Sequence, residues 1–227
     1  MGLFTSDDSN KAIVIGGIPI IFPQNTVGEM TINGRGEQRI AIALPPLAEL
    51  VRLGGSYKVR TSAAFAALTA IPTTVAAFSI YNGEAVGGLS YVIDRVFAVE
   101  IVADATQQNQ LSVWAMINKI STVFTPVVDT LAANIRNLTG KGGAYGGKAR
   151  VAVGATVVDD GWMPIGQTQP GTAAIAGAIW RTSEIPTDGE YVVRPGSQFN
   201  LHCAKAAATA SQMHIGIRYH EVQLDLG

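Results

Sequence analysis

Short apolar segments rich in Val, Ile and Thr follow one another along most of the chain, and Gly, Pro, Asn or Asp bounds each of them. This pattern is typical of β-strands separated by turns. The predicted strands are Ala12–Ile15, Ile18–Phe22, Gln38–Ala43, Val75–Tyr81, Ser90–Val102, Leu111–Ile117, Arg150–Val158, Ala173–Trp180, Tyr191–Val193, Gln198–Cys203 and Gln212–Val222. The predicted tight turns are Tyr81-Asn82-Gly83, Asp159-Asp160-Gly161, Thr187-Asp188-Gly189 and Arg194-Pro195-Gly196.

The last two predicted strands show the clearest alternation of apolar and polar residues. Neighbouring side chains of a strand point to opposite faces, so one set is expected in the core and the other in water or at an interface. The inward set comprises Met213, Ile215, Ile217 and Tyr219 in one strand and Phe199, Leu201 and Cys203 in the other. The outward set comprises His214, Arg218 and His220 in one strand and Gln198, Asn200 and His202 in the other.

Two short helices are also predicted. The first follows Pro45-Pro46 and stops at Gly54, and its apolar residues are Leu47, Leu50, Val51 and Leu53. The second has Thr125 as its cap, Pro126 at its first position and Gly140 after its end. Its apolar stripe consists of Val127, Val128, Leu131, Ile135 and Leu138.

Many strands with two short helices predict an all-β fold, a jelly-roll-like β-sandwich. Residues 1–55 have a polar start, two β runs punctuated by Gly and Pro, and the first helix. We therefore predict an N-terminal arm or small β subdomain over residues 1–55 and a β-sandwich domain over residues 56–227. An arm of this kind could reach onto a neighbouring subunit.

Charged residues are scarce for a soluble protein. They make up 15% of the chain, against roughly 25% in an average domain. Hydrophobic residues reach 48%, and the mean hydropathy is +0.25. We expect other chains to cover much of the outer surface, as in a homo-oligomer. The alternative is a compact monomer with few surface charges.

The balance of charges argues against two classes of partner. Sixteen Lys and Arg oppose seventeen Asp and Glu, which gives a net charge of −1. We therefore expect no binding to nucleic acid or to an anionic membrane. The longest uncharged run, Thr61–Gly83, is interrupted by Pro72 and does not resemble a membrane-spanning helix.

The start of the chain and the cysteine content indicate the compartment. Residues 1–11 lack the basic and apolar regions of a signal peptide, which favours synthesis and assembly in a cytoplasm. Cys203 is the only cysteine, so no intrachain disulfide can form.

A glycine loop has the spacing of a phosphate-binding motif. Gly142, Gly147 and Lys148 satisfy G-x-x-x-x-G-K, but Ala149 follows where that motif needs Ser or Thr to hold magnesium. The loop also follows a predicted helix and leads into a predicted strand, the reverse of a phosphate-binding loop. We interpret it as a plain glycine loop.

The three histidines suggest a metal site, but their spacing does not favour one. His214 and His220 share a strand face, yet six residues separate them by roughly 20 Å. His202 and His214 could face each other across a hairpin, although a zinc site would need further protein ligands. We expect solvated or interfacial histidines and no bound metal.

Nucleophile motifs are absent from the sequence. Cys203 alternates inward and is interpreted as a core residue. Asp159 and Asp160 precede Gly161, where their side chains are expected to bond the local backbone of a turn. We therefore predict no enzyme, no catalytic residue and no cofactor.

The tryptophans are interpreted mainly as structural residues. Trp114 lies in a predicted strand that is apolar on both faces, which is typical of a central or covered strand. Trp162 and Trp180 end or follow strands, where an indole ring could also serve as a carbohydrate platform.

Several short segments follow one another in a characteristic order over roughly residues 47–225. They are Arg52-Leu53-Gly54-Gly55-Ser56-Tyr57, Ser79-Ile80-Tyr81-Asn82, Ser90-Tyr91-Val92-Ile93-Asp94-Arg95-Val96, Leu111-Ser112-Val113-Trp114, Val193-Arg194-Pro195-Gly196-Ser197-Gln198-Phe199 and Ile217-Arg218-Tyr219-His220-Glu221-Val222. In this order the chain resembles the β-rich structural proteins that tailed bacteriophages place in their virions. The resemblance implies a jelly roll or related sandwich that assembles, often as a trimer, on a capsid or tail.

These observations predict a non-enzymatic virion structural protein, with a capsid-decoration or minor capsid role favoured. Its expected partners are further copies of itself and other virion proteins, such as a major capsid protein. Two alternatives remain open at this stage. One is a receptor- or glycan-binding module that uses Trp162 or Trp180, and the other is a metal-dependent jelly-roll enzyme that uses His202 and His214.

Overall fold

A computed structural model describes residues 46–102, 111–119, 134–140, 145–167, 181–205 and 212–224. The predicted strands Ala12–Ile15, Ile18–Phe22, Gln38–Ala43 and Ala173–Trp180 lie outside these residues. Most of the predicted N-terminal arm also lies outside them, so the proposed division at residue 55 stays a prediction.

The described residues form one short helix and two antiparallel sheets. The elements are α1 (Pro46–Arg52), β1 (Ser56–Arg60), β2 (Phe65–Ala66), β3 (Val75–Asn82), β4 (Leu89–Val102), β5 (Leu111–Asn118), β6 (Arg136–Asn137), β7 (Ala149–Thr156), β8 (Met163–Gln167), β9 (Arg181–Val193), β10 (Gln198–Lys205) and β11 (Gln212–Gln223). The first sheet has the order β6-β1-β11-β4-β9, and β2 also pairs with β11. The second sheet has the order β7-β3-β10-β5-β8.

The strand pairs are nested along the chain. The outermost pair is β1 with β11, followed inward by β3 with β10, β4 with β9 and β5 with β8. Successive pairs alternate between the two sheets, as they do when one long antiparallel hairpin is rolled up into an eight-stranded jelly roll. The predicted all-β, jelly-roll-like sandwich is confirmed, and β2, β6 and β7 are additions to the eight strands.

Burial in β11 follows the alternation of its sequence. Met213, Ile215, Ile217 and Tyr219 are all 0–1% exposed and face the core between the sheets. The core also receives Phe199, Leu201 and Cys203 from β10. Both inward-facing sets were predicted correctly because apolar and polar residues alternate along these strands.

The outward side of β10 was predicted wrongly. Gln198, Asn200 and His202 were expected in water or at an interface, yet they are 0–4% exposed within the protomer. Asn200 accepts hydrogen bonds from Ser79 and Gln198 and donates one to the Asn118 carbonyl oxygen, each at 2.7 Å. Hydrogen bonds among these amides and Ser79 compensate most of the cost of burying them, which explains how a central strand can hold polar side chains away from water.

The end of the second predicted helix is also wrong. Arg136 and Asn137 form β6 and pair with Lys58 and Tyr57 of β1. The Asn137 amide donates to the Gly54 carbonyl oxygen at 2.6 Å, and Leu138 donates its backbone N–H to the Ser56 oxygen. These cross-strand bonds replace the helical ones, while Ile135 still packs in the core. The earlier part of the predicted helix, residues 125–133, lies outside the described residues.

The predicted end of the first helix is confirmed, whereas one of the predicted turns is wrong. The helix α1 ends before Gly54, whose φ of +81° is the left-handed conformation expected after a helix. Thr187-Asp188-Gly189 was predicted as a turn and instead forms a bulge inside β9. Asp188 and Gly189 have φ values of +45° and +83°, and Pro186 and Tyr191 pair with Arg95 and Ile93 on either side.

Candidate assembly surface

Several large apolar side chains are exposed in β3, in β8 and in the connections next to them. Six such side chains are exposed in the described residues, and four of them belong to two segments that are hydrogen-bonded to each other. We call these four, together with the half-buried Trp114, the apolar patch. Its exposed members are Ile71 (59%), Val75 (45%), Val158 (38%) and Met163 (63%).

Backbone bonds hold the two segments together. Val157 donates its backbone N–H to the Thr74 oxygen at 2.9 Å, and the Trp162 indole donates to the Thr73 oxygen at 2.9 Å. Val75 pairs with Thr156 across β3 and β7. The connection that leads into β3 is thereby fixed against the connection that joins β7 to β8.

Ile71 lies where two shallow grooves meet. One groove, of about 230 Å³, is lined by Leu68, Thr69, Ala70, Ile71, Thr73 and Val75. The other, of about 250 Å³, is lined by Thr69, Ala70, Ile71, Ser112, Trp114, Ala204 and Lys205. Each is large enough for one or two side chains, but smaller than the 300–1,000 Å³ of a usual small-molecule site.

Charged residues are unevenly distributed around the patch. No charged residue occurs between Thr61 and Gly83. Lys205 borders a groove, but its side chain is 1% exposed and its ammonium lies 2.8 Å from the Glu100 carboxylate. Asp159 follows Val158 and is exposed, and the carboxylate of Asp160 beside it accepts hydrogen bonds from the Asn118 amide and the Lys119 backbone.

A small second core lies next to the patch, on the outer face of the second sheet. It contains Ala76, Met116, Val157 and Trp162, with Trp114 and Ala155 packed against it. Trp162 is only 7% exposed. A carbohydrate platform at Trp162 is therefore wrong, because the ring is covered and its N–H is already bonded to the Thr73 oxygen. Trp180 lies outside the described residues.

The outer face of the first sheet is different, since it is built from ion pairs. Asp94 is the extra residue of a bulge in β4, and its buried carboxylate accepts a hydrogen bond from the Arg218 guanidinium. Arg95 donates to Glu184 at 2.6 Å. A cleft of about 350 Å³ lies here, lined by Leu50, Val92, Asp94, Asp188, Gly189, His220 and Val222.

The three histidines have separate surroundings. His214 bonds Thr61 at 2.9 Å, and His220 bonds Ser56 at 2.7 Å. His202 lies on β10, where its ring packs edge-on against Phe65. Burial lowers the pKa of His202, and burial also lowers the pKa of His220, where the charge of Asp94 opposes the shift. Within the described residues, no group of three His, Cys, Asp or Glu side chains could hold a metal ion.

The remaining candidate residues have structural surroundings. Cys203 is fully buried, and burial raises the pKa of its thiol. Asp159 accepts a hydrogen bond from the Gly161 N–H at 2.9 Å, as expected of a turn. Lys148 follows the glycine loop, and its backbone oxygen accepts a bond from Gly83. Gly142 is not among the described residues.

The sequence reasoning missed the apolar patch, although one signal was available. The uncharged run Thr61–Gly83 was considered only as a membrane segment and set aside because of Pro72. The described part of the chain has no helix long and apolar enough to cross a membrane. The run instead supplies β2, the grooves around Ile71 and the whole of β3.

Comparisons with known proteins give little further information. No protein-family model matches the chain, and no curated protein matches it. Among solved structures, the chain is similar to one from the cryo-EM structure of Mud Crab Dicistrovirus, at 10% sequence identity. The match covers 100% of this chain and 89% of the other, with a TM-score of 0.22.

Proposed function

We propose that the protein is a non-enzymatic structural protein of a virus particle, which assembles through contacts between subunits. The observation that carries the proposal is the apolar patch, because exposed apolar surface is typical of sites where proteins associate. The nested jelly roll supports it, since viral capsid domains commonly have this fold. The low charged fraction of 15% fits a surface that other subunits cover.

The finer proposal is a role on a tailed-bacteriophage capsid or tail, with capsid decoration or a minor capsid role favoured. It is supported by the sequence resemblance described above. In that role the partners would be further copies of this chain, as a homo-oligomer for which the resemblance favours a trimer, and other virion proteins such as a major capsid protein. Assembly would take place in the host cytoplasm.

The proposal is tested by measuring whether the protein is part of purified particles. Particles from cells that produce the virus encoding this chain are banded on a density gradient, washed at high salt and analysed by quantitative mass spectrometry. We expect the chain in the particle band, at a fixed ratio to the most abundant virion protein. Its absence from washed particles, while it is abundant in the same cells, would contradict the proposal.

A further inference from the structure

We propose that the cleft on the outer face of the first sheet binds a primary alkylammonium group. The ammonium would lie between the carboxylates of Asp94 and Asp188. The alkyl chain would pack against the aliphatic side chains of Leu50, Val92 and Val222. Such a site is separate from assembly, since the proposed function does not require it.

Two β-bulges on neighbouring strands contribute residues to the cleft. In β4 the extra residue is Asp94, and opposite it the segment between Pro186 and Tyr191 of β9 bulges out of the strand pairing. The buried Thr187 hydroxyl anchors the second bulge by donating to the Ile93 oxygen at 2.7 Å. Bulges are frequent beside functional sites because they redirect side chains. Here they bring two carboxylates to one cleft.

The conformation of the backbone places Asp188 at the cleft. Among the described residues, Asp188 is the only one other than glycine with a positive φ, of +45°. Its side chain is exposed and forms no hydrogen bond or ion pair with any described residue, although Arg95 lies within range of its charge. The bulge, and not a partner side chain, therefore holds this carboxylate in place. Backbone conformations of this kind recur where proteins hold ligands.

The charge of the cleft favours a cation. Its lining includes two carboxylates and no lysine or arginine. Arg218 and Arg95 approach Asp94 at its Oδ2 atom, so they offset its charge and leave Oδ1 available. The carboxylate of Asp188 has no such counterion in the lining. A ligand with one positive charge would supply it.

A buried histidine of the lining lacks a partner on one ring nitrogen. His220 is 2% exposed, and its Nδ1 bonds the Ser56 hydroxyl at 2.7 Å, while its Nε2 has no hydrogen-bond partner among the described residues. Ser56 does not line the cleft, so Nε2 is the ring nitrogen on the cleft side. Burial lowers the pKa of His220, and a neutral ring does not repel a cation. An ammonium has three donors, enough for two carboxylates and this nitrogen.

The rest of the lining favours an organic cation over a metal ion. Leu50, Val92 and Val222 offer aliphatic surface beside the carboxylates. In the part of the chain that the structure describes, no three His, Cys, Asp or Glu side chains could hold a metal ion. The volume of about 350 Å³ is at the lower end of the range for small-molecule sites and suits an extended alkyl chain. An alkylammonium places its methylene groups on apolar surface and its charge at the polar end. It is either a free amine or the side chain of a lysine on another protein.

The first test is a titration of the full-length protein with n-pentylamine, followed by NMR of labelled methyl groups at pH 7.5 and low salt. We expect shifts at Leu50, Val92 and Val222 with a dissociation constant on the order of 1 mM. n-Pentanol has the same chain without the charge and should bind at least about 10-fold more weakly. Calcium chloride should leave these methyl signals unchanged. Tighter binding of N-acetyl-lysine methylamide than of n-pentylamine would identify a protein lysine as the source, and weaker binding would identify a free amine.

The second test removes the charge that has no counterion. Asp188→Asn keeps the shape of the side chain, and asparagine also accepts a positive φ, so the bulge should be preserved. We expect it to weaken n-pentylamine binding at least about 10-fold. The matched control is Glu190→Gln, at an exposed carboxylate of the same strand outside the lining, which should bind as the wild type does. Circular dichroism and thermal unfolding verify that both variants fold.

Four results would overturn the proposal. They are the absence of methyl shifts up to roughly 50 mM n-pentylamine, equal binding of n-pentanol, the same shifts with calcium, and unchanged binding by Asp188→Asn. Each of them would leave the proposed function intact, because presence in particles is measured independently. Absence from particles would likewise leave the cleft and its ligand as proposed.

Discussion

The outer faces of the two sheets differ in how their side chains find partners within the protomer. On the first sheet, polar side chains pair with one another, as Arg218 does with Asp94 and Arg95 with Glu184. On the second sheet, amides bond one another beneath a small apolar core, and large apolar side chains around that core stay exposed. The first face completes its own contacts within the protomer, whereas the second leaves apolar surface that a neighbour would have to cover.

Because of this difference, substitutions on the two faces should affect different properties of the protein. Substitutions among the paired charges of the first sheet should change the free energy of unfolding and leave association unchanged. Substitutions in the apolar patch should change association and leave unfolding nearly unchanged. The small core and the buried ion pair beside the patch belong to the protomer itself, and they provide the largest expected effects.

Removing the Trp162 ring should produce the largest loss of stability. The side chain packs with Met116 and Val157, and its indole N–H bonds the Thr73 oxygen. We expect Trp162→Ala to lower the free energy of unfolding by about 3–5 kcal/mol, measured by urea denaturation. The matched control is Val158→Ala, which changes an exposed neighbour and should cost less than about 0.5 kcal/mol. Equal effects of the two variants would show that the ring is not part of a packed core.

Breaking the buried ion pair beside the patch should have a similar or slightly smaller effect. Lys205 belongs to β10 in the second sheet and Glu100 to β4 in the first, so the pair links the two sheets. Lys205→Met leaves the Glu100 carboxylate without its ammonium partner and should cost about 3–5 kcal/mol in urea denaturation.

A double variant tests whether the loss of stability in Lys205→Met comes from the Glu100 carboxylate, which no longer has its ammonium partner. Glu100→Gln combined with Lys205→Met removes both charges, and we expect it to recover part of the stability lost in Lys205→Met alone. A double variant that is less stable than Lys205→Met would contradict this explanation. Neither variant should change how the protein associates, because both side chains of the pair are buried within the protomer.

On the first sheet, the effect of removing one charge should be more moderate. Asp94 is 5% exposed, but the Arg218 side chain is 27% exposed and can turn toward water once the carboxylate is gone. We therefore expect Asp94→Ala to cost about 1.5–3 kcal/mol, the range for hydrogen bonds to charged groups, with the mass of the protein in solution unchanged. A change in that mass would show that this face takes part in assembly. Glu184→Ala, at a half-exposed residue of the same face, serves as the control.

The sequence predicted those parts of the fold in which local pattern and burial agree. The alternation in β11 was sufficient because one face of that strand lies on the core. The strand β10 is buried on both faces, and the sequence predicted only its core-facing side correctly. Its outward-facing amides bond residues of β3 and β5, which lie far away in the chain. Long-range pairing of this kind leaves no periodic signal in a single strand.

The errors have similar causes. Met163–Gln167 contains Pro164 and Gly166, which argue against a strand, but β8 is the last described strand of its sheet and edge strands tolerate proline. Ile135 and Leu138 have helical spacing, yet Arg136 and Asn137 pair with β1. The sequence alone did not reveal the apolar patch, because the patch depends on how residues near 71 and 158 meet in the fold. The inference from the low charged fraction, that other chains cover the outer surface, stays a prediction.

The smallest expected effect is a dependence of stability on pH that differs between the two sheets. Burial lowers the pKa of His202 and of His220, so the unfolded chain binds protons more readily than the folded protein below the usual histidine pKa of 6.5. Stability should therefore fall as the pH drops from 7.5 to 5.5. At His220 the charge of Asp94 favours the protonated ring and opposes part of this loss, although Arg218 acts the other way.

We accordingly expect the melting temperature of His202→Gln to depend less on pH than that of the wild type, and His220→Gln to show a smaller change of the same sign. Burial raises the pKa of Glu221, which makes stability fall as the pH rises and therefore acts in the opposite direction. Since Glu221 is present in all three proteins, its contribution cancels when their melting curves between pH 5.5 and 7.5 are compared. A larger reduction of this pH dependence in His220→Gln than in His202→Gln would contradict the prediction. It would mean that the charge of Asp94 does not offset the effect of burial on His220.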